Sequence, residues 1–233
     1  MATAKLTKKS MSQDEFIEGV FDFGEWLEVH WRRVAIGLAV MIGAVLLAIA
    51  WNSMRESAAD EANRLLAQGM AAYAPAAGAD GQTPAPRYTE ALPLFEQAAS
   101  KGSGRVVDVA RLFRARALLG LGRAAEAVPV LEGLSANGNE GLAAESKVSL
   151  AEALEATGNP DRAATLLAEV ASVEKNPSFP KDAALLMLGN LRERQGKKDD
   201  AKKAYDDLIA KFPGSPFATD AKDRSAAMSG LSR

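Results

Sequence analysis

Three segments of the chain can be laid on one another: residues 121–131 (LGRAAEAVPVL), 157–167 (TGNPDRAATLL) and 195–205 (QGKKDDAKKAY). Each places Gly second, Ala five residues later and a large apolar residue four further on. The glycines, Gly122, Gly158 and Gly196, are 36 and 38 residues apart. A fixed period in this range constrains the fold more than any other feature of the chain. Each repeat is then one supersecondary unit that cannot bury its apolar face alone and must stack on its neighbours. The spacing predicts a helical hairpin. The Gly ends one helix in a left-handed conformation, and Ala127, Ala163 or Ala201 lets the next helix lie close against the first. Leu131, Leu167 or Tyr205 then fills the gap.

The register extends beyond these segments. Ala115 and Ala151 hold a small position in the first helices of the units around Gly122 and Gly158, and Leu188-Gly189 holds it in the last unit, which closes with Pro213. An earlier half-unit, residues 87–99 (RYTEALPLFEQAA), carries Ala91, Phe95 and Ala98, with Ala91 36 residues before Ala127. Its first helix is read as residues 54–73, separated from it by an insertion at 74–86 rich in Ala, Gly and Pro that reads as a loop. The order of small residue, Gly, Ala, aromatic and Pro resembles the tetratricopeptide repeat. The resemblance covers about two thirds of the chain and bears on architecture more than on function. It implies an all-α solenoid of about four helical hairpins, which the apolar stretch at residues 34–51 would precede as an N-terminal membrane-anchoring helix.

Residues 34–51 (VAIGLAVMIGAVLLAIAW) form an 18-residue stretch without a charge. As a helix it reaches roughly 27 Å, close to the hydrocarbon thickness of a bilayer. Nine of these residues are Leu, Ile or Val, and mid-helix transfer values make their insertion favourable by about 3 to 5 kcal/mol. Trp31 and Trp51 stand where interface anchors belong. The competing reading is a buried helix of a soluble protein. Ala35, Ala39 and Gly43 recur every four residues and form a small-residue ridge suited to close packing between membrane helices, although Ala and Gly are common in any span.

Orientation follows from basic residues. Lys5, Lys8, Lys9, Arg32 and Arg33 precede the stretch, and only Arg55 and Arg64 follow it closely. Residues 1–33 are therefore expected to stay in the cytoplasm, with 34–51 as the anchor and 52–233 exported to the periplasm. Ala48-Ile49-Ala50 also resembles a signal-peptidase site, so a cleaved signal is the alternative. The 33 preceding residues, six of them acidic, are unlike a short basic leader. Within the arm, Ser12 to Glu15 has capping-box spacing, and Phe16, Val20, Phe23 and Leu27 share one helix face. Its acidic polar surface fits contact with protein as well as with lipid, or simple solvation.

Several functions are disfavoured. The formal net charge is −2, and no basic stripe is interleaved with aromatics, which argues against nucleic-acid binding. There is no cysteine and hence no disulfide or thiolate metal site. The one histidine, His30, sits beside Trp31 next to the apolar stretch. Phosphate-loop, nucleophile-elbow and paired-histidine patterns are missing. Gly102-Ser103-Gly104 reads as an inter-helix turn. The expectation is a non-enzymatic protein with no catalytic residues, cofactor, metal or small-molecule substrate.

The resemblance places the ligand face on the first helices of the hairpins. Carried over residue by residue, it comprises Val109, Leu112, Arg116 and Leu119; Glu145, Val148, Glu152 and Glu155; and Ala183, Leu186, Asn190 and Glu193. The family's clamp for chaperone carboxylates needs Lys and Asn at several of these places, and only Asn190 matches. The mixed apolar and acidic lining suits a partner with apolar and some basic side chains, while many of these positions would serve packing between hairpins alone. The whole layout, including Trp51-Asn52-Ser53, resembles the single-span ancillary subunit of the bacterial Sec translocon. That resemblance implies an inner-membrane adaptor whose partners are translocon subunits, periplasmic chaperones or translocating polypeptides. Residues 207–221 (DLIAKFPGSPFATDA) also resemble repeats of envelope-assembly and division-coordinating proteins, so a scaffold in another envelope complex is the alternative.

Overall fold

The repeat glycines set the architecture. In the computed structural model, which describes residues 13–74, 85–137, 140–173 and 179–230, Gly122, Gly158 and Gly196 have φ of +73°, +82° and +74°. Each closes a Schellman motif. The amide after the glycine, on Arg123, Asn159 or Lys197, donates to the carbonyl of Leu118, Leu154 or Arg192 at 2.8, 2.7 and 2.9 Å. The glycine's own amide donates to Leu119, Glu155 or Glu193 at 2.9, 3.1 and 2.9 Å. Orphan carbonyls at each helix end are thereby satisfied, and the chain reverses in a few residues.

The described residues form helices and no strands: α1 (Gln13–Tyr73), α2 (Ala85–Lys101), α3 (Arg105–Gly120), α4 (Ala124–Asn137), α5 (Glu140–Ala156), α6 (Pro160–Ser172), α7 (Lys181–Arg194), α8 (Lys198–Lys211) and α9 (Ala218–Met228). The chain divides into two units, Met1–Glu56 and Ser57–Arg233. The repeat glycines join α3 to α4, α5 to α6 and α7 to α8, and from α2 onward each helix packs against the next. The expected first helix of the earliest hairpin ends at Tyr73 as read, but it is the last part of α1 rather than a separate element. Ser12 and most of the insertion, residues 75–84, lie outside the described residues, as do the side chains of Phe16, Val20, Phe23 and Leu27.

In the second unit, Ala91, Ala127, Ala163 and Ala201 are all buried, as are Phe95, Leu131, Leu167 and Tyr205. Their partners on the first helices compensate in volume. A Cβ built on Gly189 would stand 2.3 Å from the Tyr205 ring, and one on Gly69 would stand 2.7 Å from Phe95. Where the second helix offers leucine, at Leu131 and Leu167, the corresponding first-helix residues are Ala115 and Ala151, both buried. Glycine faces an aromatic, and where the same register carries leucine it carries alanine, which conserves core volume along the stack. The solenoid ends in α9, which buries Ala221 and Ser225 against α8 and has no helix after it among the described residues. Ser225 Oγ donates to Asp206 Oδ1 at 2.6 Å. This helix was not anticipated from the sequence; it covers the apolar face that the last hairpin would otherwise leave open.

In the first unit, the apolar stretch of α1 is long and apolar enough to cross a membrane, and none of it is buried. The Arg32 guanidinium lies 5.7 Å from the Trp31 ring. That of Arg55 lies 5.3 Å from Trp51. A tryptophan capped by an arginine thus marks each end of the apolar run, the pattern that interfacial anchoring uses.

Candidate functional site

From α3 onward, ion pairs join α3 to α5, α5 to α7 and α7 to α9. Arg116 on α3 donates from Nη2 to Glu145 Oε2 on α5 at 3.1 Å and from Nε to Ser149 Oγ at 3.1 Å. Its guanidinium also lies 5.6 Å from the Phe113 ring. Arg194 on α7 holds Glu155 on α5 in a fork, with distances of 2.7 and 2.9 Å. Arg224 on α9 donates to Glu193 on α7 at 3.1 Å. These side chains keep partial solvent contact, so each pair contributes on the order of 0.2–1 kcal/mol. Their larger effect is to fix which faces of the first helices meet and which stay open.

Two adjoining cavities remain on the first-helix face. The larger, about 410 Å³, is lined by Tyr73, Tyr88, Leu119, Val148, Phe179 and Met187, with Arg116, Ser149 and Glu152 as its polar groups. The smaller, about 230 Å³, is lined by Ala151, Leu167, Met187, Leu191, Asn190, Glu155 and Arg194, again with Glu152. Glu152 and Met187 belong to both, so the two form one groove across α3, α5 and α7. The aromatic end is built by Tyr73, whose ring centroid lies 5.2 Å from Tyr88 and 5.7 Å from Phe113. Tyr88 in turn lies on Gly120, where a Cβ would stand 2.2 Å from its ring. Only glycine permits that approach.

Electrostatics single out Glu152. The Glu152 side chain is solvent-exposed overall, yet partial desolvation against the groove wall pushes its carboxyl above the ordinary glutamate range, Arg116 opposes the shift and Glu155 adds to it. Burial also raises the Tyr73 phenol, with Tyr88 adding to the shift. Tyr205 is pushed up to about 12, first by burial and then by Glu193. Its hydroxyl lies 2.7 Å from Asn190 Oδ1 and 2.9 Å from Glu193 Oε2.

Of the residues carried over from the family pattern, Arg116, Leu119, Val148, Glu152, Glu155 and Asn190 line the groove. Leu112 does not reach it; the side chain is wholly buried in the core. Leu186 packs toward the cluster around Leu185, Tyr205 and Leu208. Glu193 faces Arg224 and Tyr205, and its neighbour Arg194 takes the groove position. One step along a helix turns a side chain by about 100°, so a one-residue difference in register exchanges the seam for the groove. Tyr73, Tyr88, Phe179, Met187 and Arg194 were not read from the sequence. The first three flank connections rather than repeat positions, and no spacing rule reaches them. Ala35, Ala39 and Gly43 lie in the first unit, where a Cβ on Gly43 would meet open space.

A family model for the tetratricopeptide repeat-like domain matches residues 25–221. Among solved structures, the chain is similar to a Podosopora anserina protein described as a putative kinesin light chain with nearly identical TPR-like repeats, and to a single-substitution variant of that protein. Each is 20% identical, covers 73% of this chain and 87% of its own, and superposes with a TM-score of 0.57. At that identity the likeness concerns the fold alone. No curated protein matches the chain. Repeats of this kind typically act as protein-interaction scaffolds rather than enzymes. The hairpin register, the Schellman turns and the extent of the match agree that the chain belongs to the tetratricopeptide repeat-like domain family.

Proposed function

We propose that the chain is a membrane-anchored, non-enzymatic adaptor whose repeats lie on the exported side of the inner membrane and bind protein partners in the first-helix groove. The observation that carries this reading is the unburied apolar helix joined to a repeat domain. Left in water, such a surface costs about 25 cal/mol per Å² of apolar area, and a bilayer removes that cost. The Trp31–Arg32 and Trp51–Arg55 pairs suit the two interfaces. The five basic residues before the span, against two soon after it, favour a cytoplasmic N-terminus. The resemblance in layout to the ancillary translocon subunit makes translocon subunits, periplasmic chaperones and translocating polypeptides the expected partners.

Two measurements test the proposal together. Protease added to spheroplasts should digest the repeats, while intact mass shows the residues before Trp51 still attached; a mature chain beginning at Trp51 would refute the anchor. Photo-crosslinkers at Leu119, Glu155 and Asn190 in living cells should capture translocon subunits, chaperones or translocating chains. Capture of outer-membrane assembly or cell-division proteins would favour the alternative scaffold instead, and no capture at any site would overturn the groove as the binding face.

A further inference from the structure

Four carboxylates stand on or beside the first-helix face: Glu145, Glu152, Glu155 and Glu193. Three are engaged. Arg116 holds Glu145, Arg194 holds Glu155, and Arg224 with Tyr205 holds Glu193. Among the described residues, Glu152 takes part in no ion pair and accepts no hydrogen bond. The nearby cations cannot be spared for it. The Arg116 guanidinium is committed to Glu145, Ser149 and the Phe113 ring, and Arg194 is committed in a fork. Glu152 is therefore the carboxylate of the groove lining that has no ion-pair or hydrogen-bond partner, where the two cavities meet.

Each cavity beside that charge has an apolar part. Leu119, Val148, Phe179 and Met187 form one wall, and Leu167, Leu191 and again Met187 form the other. Glu152 itself is solvent-exposed and has no protein partner among the described residues, so its charge is open to a ligand where the cavities meet. A ligand that supplies a cation there pairs that charge, and its apolar side chains fill the flanking cavities. A ligand that supplies an anion meets like-charge repulsion there.

We propose that Glu152 is the selectivity anchor of the groove, and that the occupant is an extended segment of another polypeptide placing a lysine or arginine between apolar side chains. This rests on the reading that the groove receives a polypeptide and adds which residue it selects.

The test uses the full chain in lipid nanodiscs and fluorescence anisotropy of three labelled peptides of one length. Each carries Leu and Phe on either side of a central Lys, norleucine or Glu. The central Lys should bind at least about tenfold more tightly than Glu, equivalent to about 1.4 kcal/mol, with norleucine between them. In Glu152→Gln, nearly isosteric, the ratio should fall below about twofold, with unchanged helical circular dichroism. Met187→Arg, which fills the groove, should weaken all three peptides. Equal binding of the three by the unaltered chain, still lost in Met187→Arg, would overturn the role of Glu152 and leave the groove reading standing. An undiminished ratio in Glu152→Gln would place charge selection elsewhere and overturn it as well. Binding of none of the three, or binding untouched by Met187→Arg, would overturn both.

Discussion

The pairing of Gly189 with Tyr205 can be tested by one methyl group. In Gly189→Ala the new Cβ would stand 2.3 Å from Cε1 and 2.7 Å from Cδ1 of the Tyr205 ring. That ring is wholly buried, and its hydroxyl is tethered to Asn190 and Glu193. It has no room to retreat, so overpacking should cost about 2–3 kcal/mol, the upper part of the usual range. Alanine recovers about 1 kcal/mol of helix propensity, which leaves a net loss of about 1–2 kcal/mol. The same substitution at Gly133, inside α4, meets no atom within 4 Å. There only propensity acts, and Gly133→Ala should gain about 1 kcal/mol. A second-site change adds a sharper test. Gly189→Ala combined with Tyr205→Leu recreates the Ala–Leu combination that the repeat register places at Ala115–Leu131 and Ala151–Leu167, all four buried. The double variant should be more stable than the sum of the single effects by about 1–2 kcal/mol. Urea midpoints followed by circular dichroism measure all four variants. Gly189→Ala unfolding at or above the unaltered midpoint, or strict additivity in the double variant, would refute the volume-compensation argument.

Other outcomes follow from single sites. Ala127→Leu or Ala163→Leu should destabilise the hairpins by about 1–3 kcal/mol, because both alanines are wholly buried between packed helices; unchanged denaturation midpoints would contradict that packing. Glu152 has a folded-state pKa raised above the ordinary 4.5. The folded chain therefore holds this proton more firmly, and the resulting stabilisation is full below 4.5 and disappears as pH rises through the raised value. Arg116, Glu155 and the raised phenol of Tyr73 are the charged or titratable groups acting on this site. Relative to the unaltered chain, Glu152→Gln should gain stability between acid and neutral pH, and a pH-independent difference in urea midpoints would remove Glu152 as the cause. In the first unit, Gly43→Ile should weaken co-purification with a membrane partner while leaving insertion normal, if the ridge of Ala35, Ala39 and Gly43 packs against another helix; unchanged recovery would place the partner contacts in the repeats.

The part of this protein legible in the sequence is the part ruled by local geometry. Gly122, Gly158 and Gly196 are readable because a left-handed turn of a helical hairpin selects glycine whatever surrounds it. Ala127, Ala163 and Ala201 are readable because close helix contact admits only a small side chain. The apolar run from Val34 to Trp51 is readable because span length and hydration cost depend on nothing else in the chain. The groove obeys a different logic. The seam pairs Arg116–Glu145, Glu155–Arg194 and Glu193–Arg224 join residues 29, 39 and 31 positions apart, and their meeting depends on how one hairpin stacks on the next. That stacking turns Glu193 to a seam and Arg194 to the groove, carries Tyr73 and Tyr88 to one end of it, and closes the solenoid with α9. It also decides which carboxylate is left alone. Four acids look equivalent along the helices, and only tertiary packing, by committing three of them to arginines on neighbouring helices, leaves Glu152 as the unmatched charge.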